Sequence, residues 1–447
     1  MSMKKRKTVL SLLFSLLLVS LIPFESSEAM QITTSNAEGT NETISPQATA
    51  ANKPFPQHTK YFAGTIKPNH VTQSKMDQEV KRLYGEWKNR YLKKDPNKPD
   101  RYYVYYNLEN YSEPANAVSS SEGHGYGMLT TALMAGYDSD AKTYFDGLYR
   151  FYKDHPSSID PSLMAWQQVK NSSGNIITNP DGGDDAATDG DMDIAYALLL
   201  ADKQWGSSTG IHYLNEAKKV MKAIMSKEVH HSEWILKLGD WASDTDTKYG
   251  TGTRSSDFML EHLNVFRNVS GDSNWQKVKD KTSNIINSVY QAYSPNTGLL
   301  PDFNIKKNGK YQPAAPYYLE SENDGKYSWN SSRVPWRISM DFIINGNTSA
   351  NNQLNKLNTW IKQKASNNPS KIMAGYELNG QPLENYNSIA FTAPFAVSAM
   401  LQSGNQSWLN ALWDYTVQSP TSENAYFDNS IRILCMIIVS GNWWSPN

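Results

Sequence analysis

The feature that most constrains this chain is a helical apolar period that recurs, segment after segment, from near residue 78 to the C-terminus. Val80, Leu83, Tyr84, Trp87 and Tyr91 fall at i, i+3, i+4, i+7 and i+11, one face of a helix. Leu214, Ala217, Val220, Met221 and Ile224 repeat that spacing, and Trp275, Val278, Ile285 and Val289 follow it more loosely. The pattern predicts twelve helices, over 78–92, 124–136, 139–153, 190–204, 212–226, 255–268, 274–292, 336–345, 350–365, 388–403, 406–416 and 424–439. No long stretch carries a convincing period-two alternation. Twelve helices in sequential pairs predict an all-α fold, a toroid of six helical hairpins or (α/α)6 barrel. Each hairpin can bury its apolar face only against its neighbours, and closing the ring removes the exposed ends. One long irregular insertion, about 298–333, interrupts the series. It is rich in Gly, Pro, Asn and Tyr, and loops of this length in compact domains are usually functional or disordered. Its aromatics argue against disorder.

The N-terminus reads as a targeting segment. Lys4, Lys5, Arg6 and Lys7 precede a leucine-rich apolar run from Val9 to Phe24, and Ser27-Glu28-Ala29 offers small residues for cleavage. This is the plan of a secretory signal peptide over residues 1–29, and the apolar run is short for a membrane anchor, which needs about 20 residues. Residues 30–52 are small and polar and read as a flexible leader, with the catalytic barrel domain occupying 53–447 and packed structure starting near Pro54. The expectation is an extracellular protein, most simply a monomer. Of 447 residues, 39% are hydrophobic, enough for a large core, and the formal net charge of −1 suggests neither nucleic acid nor an anionic membrane as partner. The single cysteine, Cys435, excludes an internal disulfide and a cysteine-based zinc site; its apolar surroundings make it a small core residue. The chain carries 13 tryptophans and 26 tyrosines, which tilts the reading toward a sugar-binding cleft, since aromatic faces stack on the C–H faces of pyranose rings.

Three segments carry candidate chemistry. In Ser120-Ser121-Glu122-Gly123-His124-Gly125-Tyr126-Gly127, a serine and an acid could simply cap a helix. The glycines weaken a helix start, however, and make sense where something must approach the backbone closely. Between Asp181 and Asp193 six aspartates fall within thirteen residues. An EF-hand-like calcium loop fails there, because the turn glycine is replaced by Ile194 and no bidentate glutamate follows. So many like charges are costly unless a cation or a hydroxyl-rich ligand shares the space. The third segment, Tyr317 to Arg337, mixes acids, aromatics and arginine, including Glu320, Glu322, Trp329 and Trp336.

Ala187-Thr188-Asp189-Gly190-Asp191, followed by Ile194-Ala195, Ala197, Ala201 and Trp205, resembles the diagnostic motif of glycoside hydrolase family 8. Ser121 to Met128, Arg254-Ser255-Ser256-Asp257-Phe258-Met259 and Arg333-Val334-Pro335-Trp336-Arg337 are similar to further family segments, so the resemblance runs from about Tyr102 to the C-terminus. It implies the (α/α)6 fold and an inverting mechanism without a cofactor or metal. Glu122 would be the general acid, and Asp189 would position the sugar beside the cut. Many members place the base aspartate three residues before the first arginine of the Arg-x-Pro-Trp-Arg segment, but here that residue is Asn330. A subgroup of chitosanases and β-1,3-1,4-glucanases instead takes a glutamate from the long insertion as base. Leu319-Glu320 with Asn323-Asp324-Gly325 and Tyr327-Ser328 is similar to that subgroup, which implies Glu320, with Glu322 in reserve.

Inversion needs an acid on one side of the bond and a base activating water on the other, with the carboxyls about 6.5–9.5 Å apart. The acid must stay protonated near working pH, through burial or nearby negative charge. Tyr126, Trp166, Trp241, Tyr327, Trp329, Asn330, Arg333 and Trp336 complete the expected substrate-binding set. Chitosan is the expected polysaccharide, because the aspartate cluster and Glu109 would suit its ammonium groups; β-1,3-1,4-glucan and β-1,4-glucan are the alternatives. A polysaccharide lyase can share a helical toroid, but the acidic loop is wrong for a polyanion. A non-catalytic sugar-binding protein would release no reducing ends, and a metal site on His230 and His231 finds no third ligand.

Overall fold

Two kinds of helix build the molecule, and the difference is written in how many sides of each are apolar. The computed structural model describes residues 50–107, 114–421 and 426–447, within one compact unit that spans Ala48 to Asn447. The signal-peptide reading of 1–29, most of the leader (30–49) and Glu109 lie outside the described residues. The twelve expected helices are all present: α1 (Gln73–Tyr91), α2 (Ser121–Leu133), α3 (Ala141–Asp154), α4 (Thr188–Trp205), α5 (Tyr213–Ala223), α6 (Leu260–Ser270), α7 (Asn274–Tyr293), α8 (Val334–Asn345), α9 (Asn351–Lys364), α10 (Ile389–Ala399), α11 (Gln406–Gln418) and α12 (Tyr426–Val439). The odd-numbered helices bury a single stripe. In α1 it is Met76, Val80, Leu83, Tyr84, Trp87 and Tyr91. By contrast α2, α4, α8, α10 and α12 are buried nearly all round, as a helix must be when it lies between a core and an outer layer.

The even-numbered helices form an inner ring in which α2 packs on α4, α4 on α6, α6 on α8, α8 on α10, α10 on α12, and α12 back on α2. The odd helices pack outside them, α3 on α2, α5 on α4, α7 on α6, α9 on α8 and α11 on α10, with α1 against α12. This is the closed (α/α)6 barrel. Cys435 sits within it, fully buried on α12.

Helix boundaries shift where side chains compete with the helix. The segment 255–259, expected as helix, is a 3-10 turn at Ser255–Asp257 followed by two non-helical residues. Ser255 is tied to the insertion, its N–H donating to the Asp302 carbonyl (3.0 Å) and its hydroxyl to the Pro301 carbonyl (2.6 Å).

Among the described residues three small antiparallel sheets, too short for their alternation to show in sequence, carry the functional loops. β1 (Leu92–Lys94) pairs with β2 (Tyr102–Val104). β3 (Ala117–Ser120), β4 (Gln167–Lys170) and β5 (Ile176–Thr178) form the second sheet. In the third, β6 (Thr253–Arg254) pairs with β7 (Phe303–Lys307), which pairs with β8 (Lys310–Pro313). The β7–β8 loop is Asn308-Gly309, both at positive φ (51° and 76°), the backbone that a two-residue hairpin turn demands. The insertion is therefore a hairpin docked on β6 followed by an anchored loop.

Close approach of α2 and α4 depends on glycine. A Cβ on Gly190 would lie 2.7 Å from the Ser121 carbonyl carbon, and one on Gly125 would lie 2.7 Å from the Asp193 Cβ. The glycines of the first motif thus admit a neighbouring helix, and Gly123 admits the Tyr426 hydroxyl. Substitution Gly190→Ala is expected to cost about 1–3 kcal/mol by overpacking, read as a lower denaturation midpoint in urea; unchanged stability would show that the two helices can part freely.

Candidate active site

All six inner helices present their N-terminal ends at one rim. Glu122 lies in the first turn of α2 and Asp189 in that of α4; Arg254 precedes α6, Arg333 immediately precedes α8, Phe391 is near the start of α10 and Tyr426 opens α12. A cavity of about 350 Å³ opens there, lined by Tyr106, Ser120, Ser121, Glu122, Trp166, Ala187, Asp189, Arg254, Glu320, Asn330, Tyr426 and Phe427. Residues more than 300 apart in sequence meet because the ring closes.

Arg333, only 2% exposed, holds the floor together. Its Nη1 donates to Glu122 Oε2 (2.9 Å), Asp189 Oδ2 (2.9 Å) and the Tyr126 hydroxyl (3.0 Å). Its Nη2 donates to Asn330 Oδ1 (3.0 Å) and its Nε to the Asn330 carbonyl (3.2 Å). Asn330 in turn donates from Nδ2 to Glu320 Oε2 (2.8 Å), while Arg254 Nη2 lies 3.3 Å from Glu320 Oε1 and Nη1 3.8 Å from Asp189 Oδ1. A guanidinium and an amide therefore stand between Glu122 and Glu320, which line the same cavity without touching.

The carboxyls are unlike. Burial pushes Glu122 up to about 7, and the Asp189 charge adds to this, against the opposing pull of Arg333 and a hydrogen bond from the Tyr426 hydroxyl (3.2 Å). Burial acts on Asp189 in the same sense, but the charges of Arg333 and Arg254 outweigh it and hold that carboxyl below its ordinary range. Glu320 is 46% exposed at its side chain and sees solvent. The arrangement can offer a proton from one side of a bound bond and accept one from the other.

The aspartate cluster does not present six free anions to the cleft. Asp189 is paired as above. Asp193 is buried against Arg337 and His262 (3.0 Å). Asp191 is fully buried and accepts the Met164 N–H (2.9 Å). Asp185 is pushed up to about 7 by burial and the nearby Asp240 and Asp184 charges. Arginine answers the charge of Asp189 and Asp193, and burial raises the proton affinity of Asp185 and Asp191.

Of the other expected binding residues, Trp166 lines the cavity, oriented by donation from its Nε1 to the Gly182 carbonyl (2.9 Å). Tyr126 lies beneath, fully buried and in contact with Arg333. Trp329 is 41% exposed and stands edge-on to Phe391 and Phe427. Two expectations are corrected. Tyr327 is fully buried among Tyr376, Phe391 and Phe395, a core residue with no face toward the cleft. Trp336 is 1% exposed under the Arg337 guanidinium, so it supports Tyr126 from below. Trp241, half-buried, packs edge-on against Tyr249 in a side cluster outside that lining. Glu322, the reserve base, is exposed and is not among the residues that line the cavity.

The sequence reading missed Tyr106, Tyr426 and Phe427, which no local motif marks. It quoted Arg254 within a motif but gave it no part; pairing of β6 with β7 delivers it to the site.

A helical toroid whose rim holds a protonatable buried carboxyl, a solvent-facing carboxylate and exposed aromatics defines a glycoside hydrolase. The chain belongs to the glycosyl hydrolases of family 8, whose model matches residues 80–441. It is 52% identical over 396 residues to a β-glucanase of Niallia circulans, covering 89% of this chain and 92% of that one. An endoglucanase of Bacillus sp. (strain KSM-330) is 41% identical over 397 residues, covering 88% and 82%. The solved apo structure of a β-1,3-1,4-glucanase from Paenibacillus sp. X4 superposes with a TM-score of 0.83 at 53% identity, covering 89% of this chain and 100% of that one.

Because the Tyr426 hydroxyl donates to the charged form of Glu122, its removal favours the neutral acid. In Tyr426→Phe the Glu122 carboxyl is expected to titrate above the parent value of about 7, followed by carbonyl-stretch difference infrared spectroscopy with Glu122→Gln to assign the band. A downward shift would mean that this hydrogen bond does not govern the group.

Proposed function

We propose that this chain is an exported, endo-acting, inverting hydrolase of β-glucans, with mixed-linkage β-1,3-1,4-glucan as the leading substrate. Glu122 is the general acid, Glu320 the general base, and Asp189, fixed by Arg333 and Arg254, holds the sugar beside the cut. The observation that carries the reading is the pair of unlike carboxyls in one cavity, one kept protonatable by burial and one open to solvent.

In the reaction, the Glu122 carboxyl gives its proton to the glycosidic oxygen as the bond to the anomeric carbon breaks. A water on the opposite face forms the new C–O bond and yields its proton to the Glu320 carboxylate, so the configuration inverts. Asn330 cannot accept that proton, but its amide and Arg254 hold the carboxylate that can. With Glu122 protonated, the groups in direct contact balance, Arg254 and Arg333 against Asp189 and Glu320. Trp166, Trp329 and Phe427 offer ring surface for pyranose faces.

Chitosan gives way to glucan in this reading. Its support was a cluster of free aspartates facing the cleft, and four of the six, Asp185, Asp189, Asp191 and Asp193, are paired with arginine or have their proton affinity raised by burial. The names of the similar proteins, β-glucanase and β-1,3-1,4-glucanase, favour a neutral glucan. Reducing-end release by the mature protein is expected to be faster on lichenan than on soluble chitosan at matched weight. Glu122→Gln and Glu320→Gln are each expected to lower kcat by about 10²–10⁴-fold with the thermal midpoint kept. Preferential release from chitosan would restore the chitosanase reading, and full activity in Glu320→Gln would move the base elsewhere.

A further inference from the structure

Glu320 is carried by a loop and not by a helix end, and nearly half of its side chain is in water. An ion pair of that exposure contributes modestly, so the contacts with Arg254 and Asn330 do not by themselves fix the loop that carries the carboxylate. The backbone beneath it is anchored in another way. Asp324, 1% exposed, accepts three consecutive main-chain N–H groups: Leu319 (2.7 Å) and Glu320 (2.9 Å) on Oδ2, and Ser321 (2.8 Å) on Oδ1. Hydrogen bonds to a charged acceptor are roughly twice as strong as neutral ones, and here all three converge on the turn that carries Glu320.

Asp324 is itself fixed to the scaffold. Its carbonyl accepts the Phe303 N–H (2.9 Å), so it is bound to β7, and the adjoining Gly325 presses on the hairpin exit, where a Cβ would come within 2.2 Å of the Ala314 carbonyl oxygen. β7 pairs in turn with β6, which carries Arg254. On the other side Asp302 performs the same service for Asn330. It accepts the N–H groups of Ser328 (3.0 Å) and Ser331 (2.7 Å) and the Ser331 hydroxyl (2.6 Å).

We propose that Asp324 is a positioning residue for the base: its buried carboxylate gathers the 319–321 amides and so transmits the geometry of the barrel, through β6 and β7, to the Glu320 carboxylate. The inference rests on Glu320 being the base. It gives the insertion a purpose beyond supplying a glutamate, since the hairpin is the beam to which the base loop is bolted. A misplacement of about 1 Å in a catalytic group can cost roughly 10²-fold in rate, while substrate held by Trp166 and Asp189 should still bind.

The test compares Asp324→Asn, Asp324→Ala and Glu320→Gln with the parent on lichenan, measuring kcat and KM, the thermal midpoint, and hydrogen exchange at amides 319–321. The expected result is a fall in kcat of about 10–100-fold in the Asp324 variants with KM changed by less than about threefold. Exchange should accelerate at 319–321 and not in the inner helices. Asp324→Asn keeps size and packing and decides the matter if Asp324→Ala unfolds. Parent-like kcat in Asp324→Asn together with an inactive Glu320→Gln would overturn the inference and leave the base in place. A rise in KM at unchanged kcat would overturn it too. An active Glu320→Gln would remove the base reading itself, which is a different failure.

Discussion

The site depends on one buried cation. Arg333 is out of water, and a guanidinium there must be paired and hydrogen-bonded on every side. Its four partners come from three parts of the chain: Glu122 and Tyr126 on α2, Asp189 on α4, and Asn330 in the turn before its own helix. Asp189, which also faces Arg254, is held below its ordinary range. Glu122 shares the same nitrogen but keeps a raised affinity for its proton, because burial and the neighbouring Asp189 outweigh what remains of the arginine's field. One cation thus sorts two acids into different protonation states. That requires both acids to reach one nitrogen, which the glycines at 125 and 190 allow by letting α2 and α4 approach.

The barrel then decides where acids can live. Six parallel inner helices bring six N-termini to one rim, and helix N-termini favour negative charge within the first turn. Glu122, Asp189 and Asp191 all occupy first turns. The proposed acid is thereby built on a helix end, whereas the proposed base stands on an inserted loop that must borrow its rigidity from a hairpin. A catalytic pair made from one helix end and one loop needs a second scaffold, and the β6–β7–β8 sheet is that scaffold.

Much of this was legible in the sequence, and the boundary of legibility has physical causes. The helices of the outer ring, such as α1 with Val80, Leu83, Tyr84 and Trp87, announce themselves by one apolar stripe. The inner helices are less periodic yet readable by length and by their positions between stripes. The hairpin went unseen although Asn308-Gly309 is a strong turn signal, because strands of five and four residues show little alternation. Tyr327 and Trp336 read as cleft residues because they lie within family-like segments, and burial shows that an aromatic inside such a segment can be its support instead. Tyr426 and Phe427 could not be found, since they reach the cleft only through ring closure. The aspartates misled toward a cationic substrate because sequence shows charge but not the arginine that answers it, here Arg333 and Arg337, about 144 residues away.

The central claim is that two separated carboxyls act on opposite faces of a β-glucosidic bond. The most direct measurement is proton NMR of the anomeric signals during the first minutes of lichenan hydrolysis, before mutarotation. The α-anomer of the new reducing end is expected to appear first and the β-anomer to grow in later. First appearance of the β-anomer would mean retention, and would contradict the assignment of Glu320 as a base that activates water.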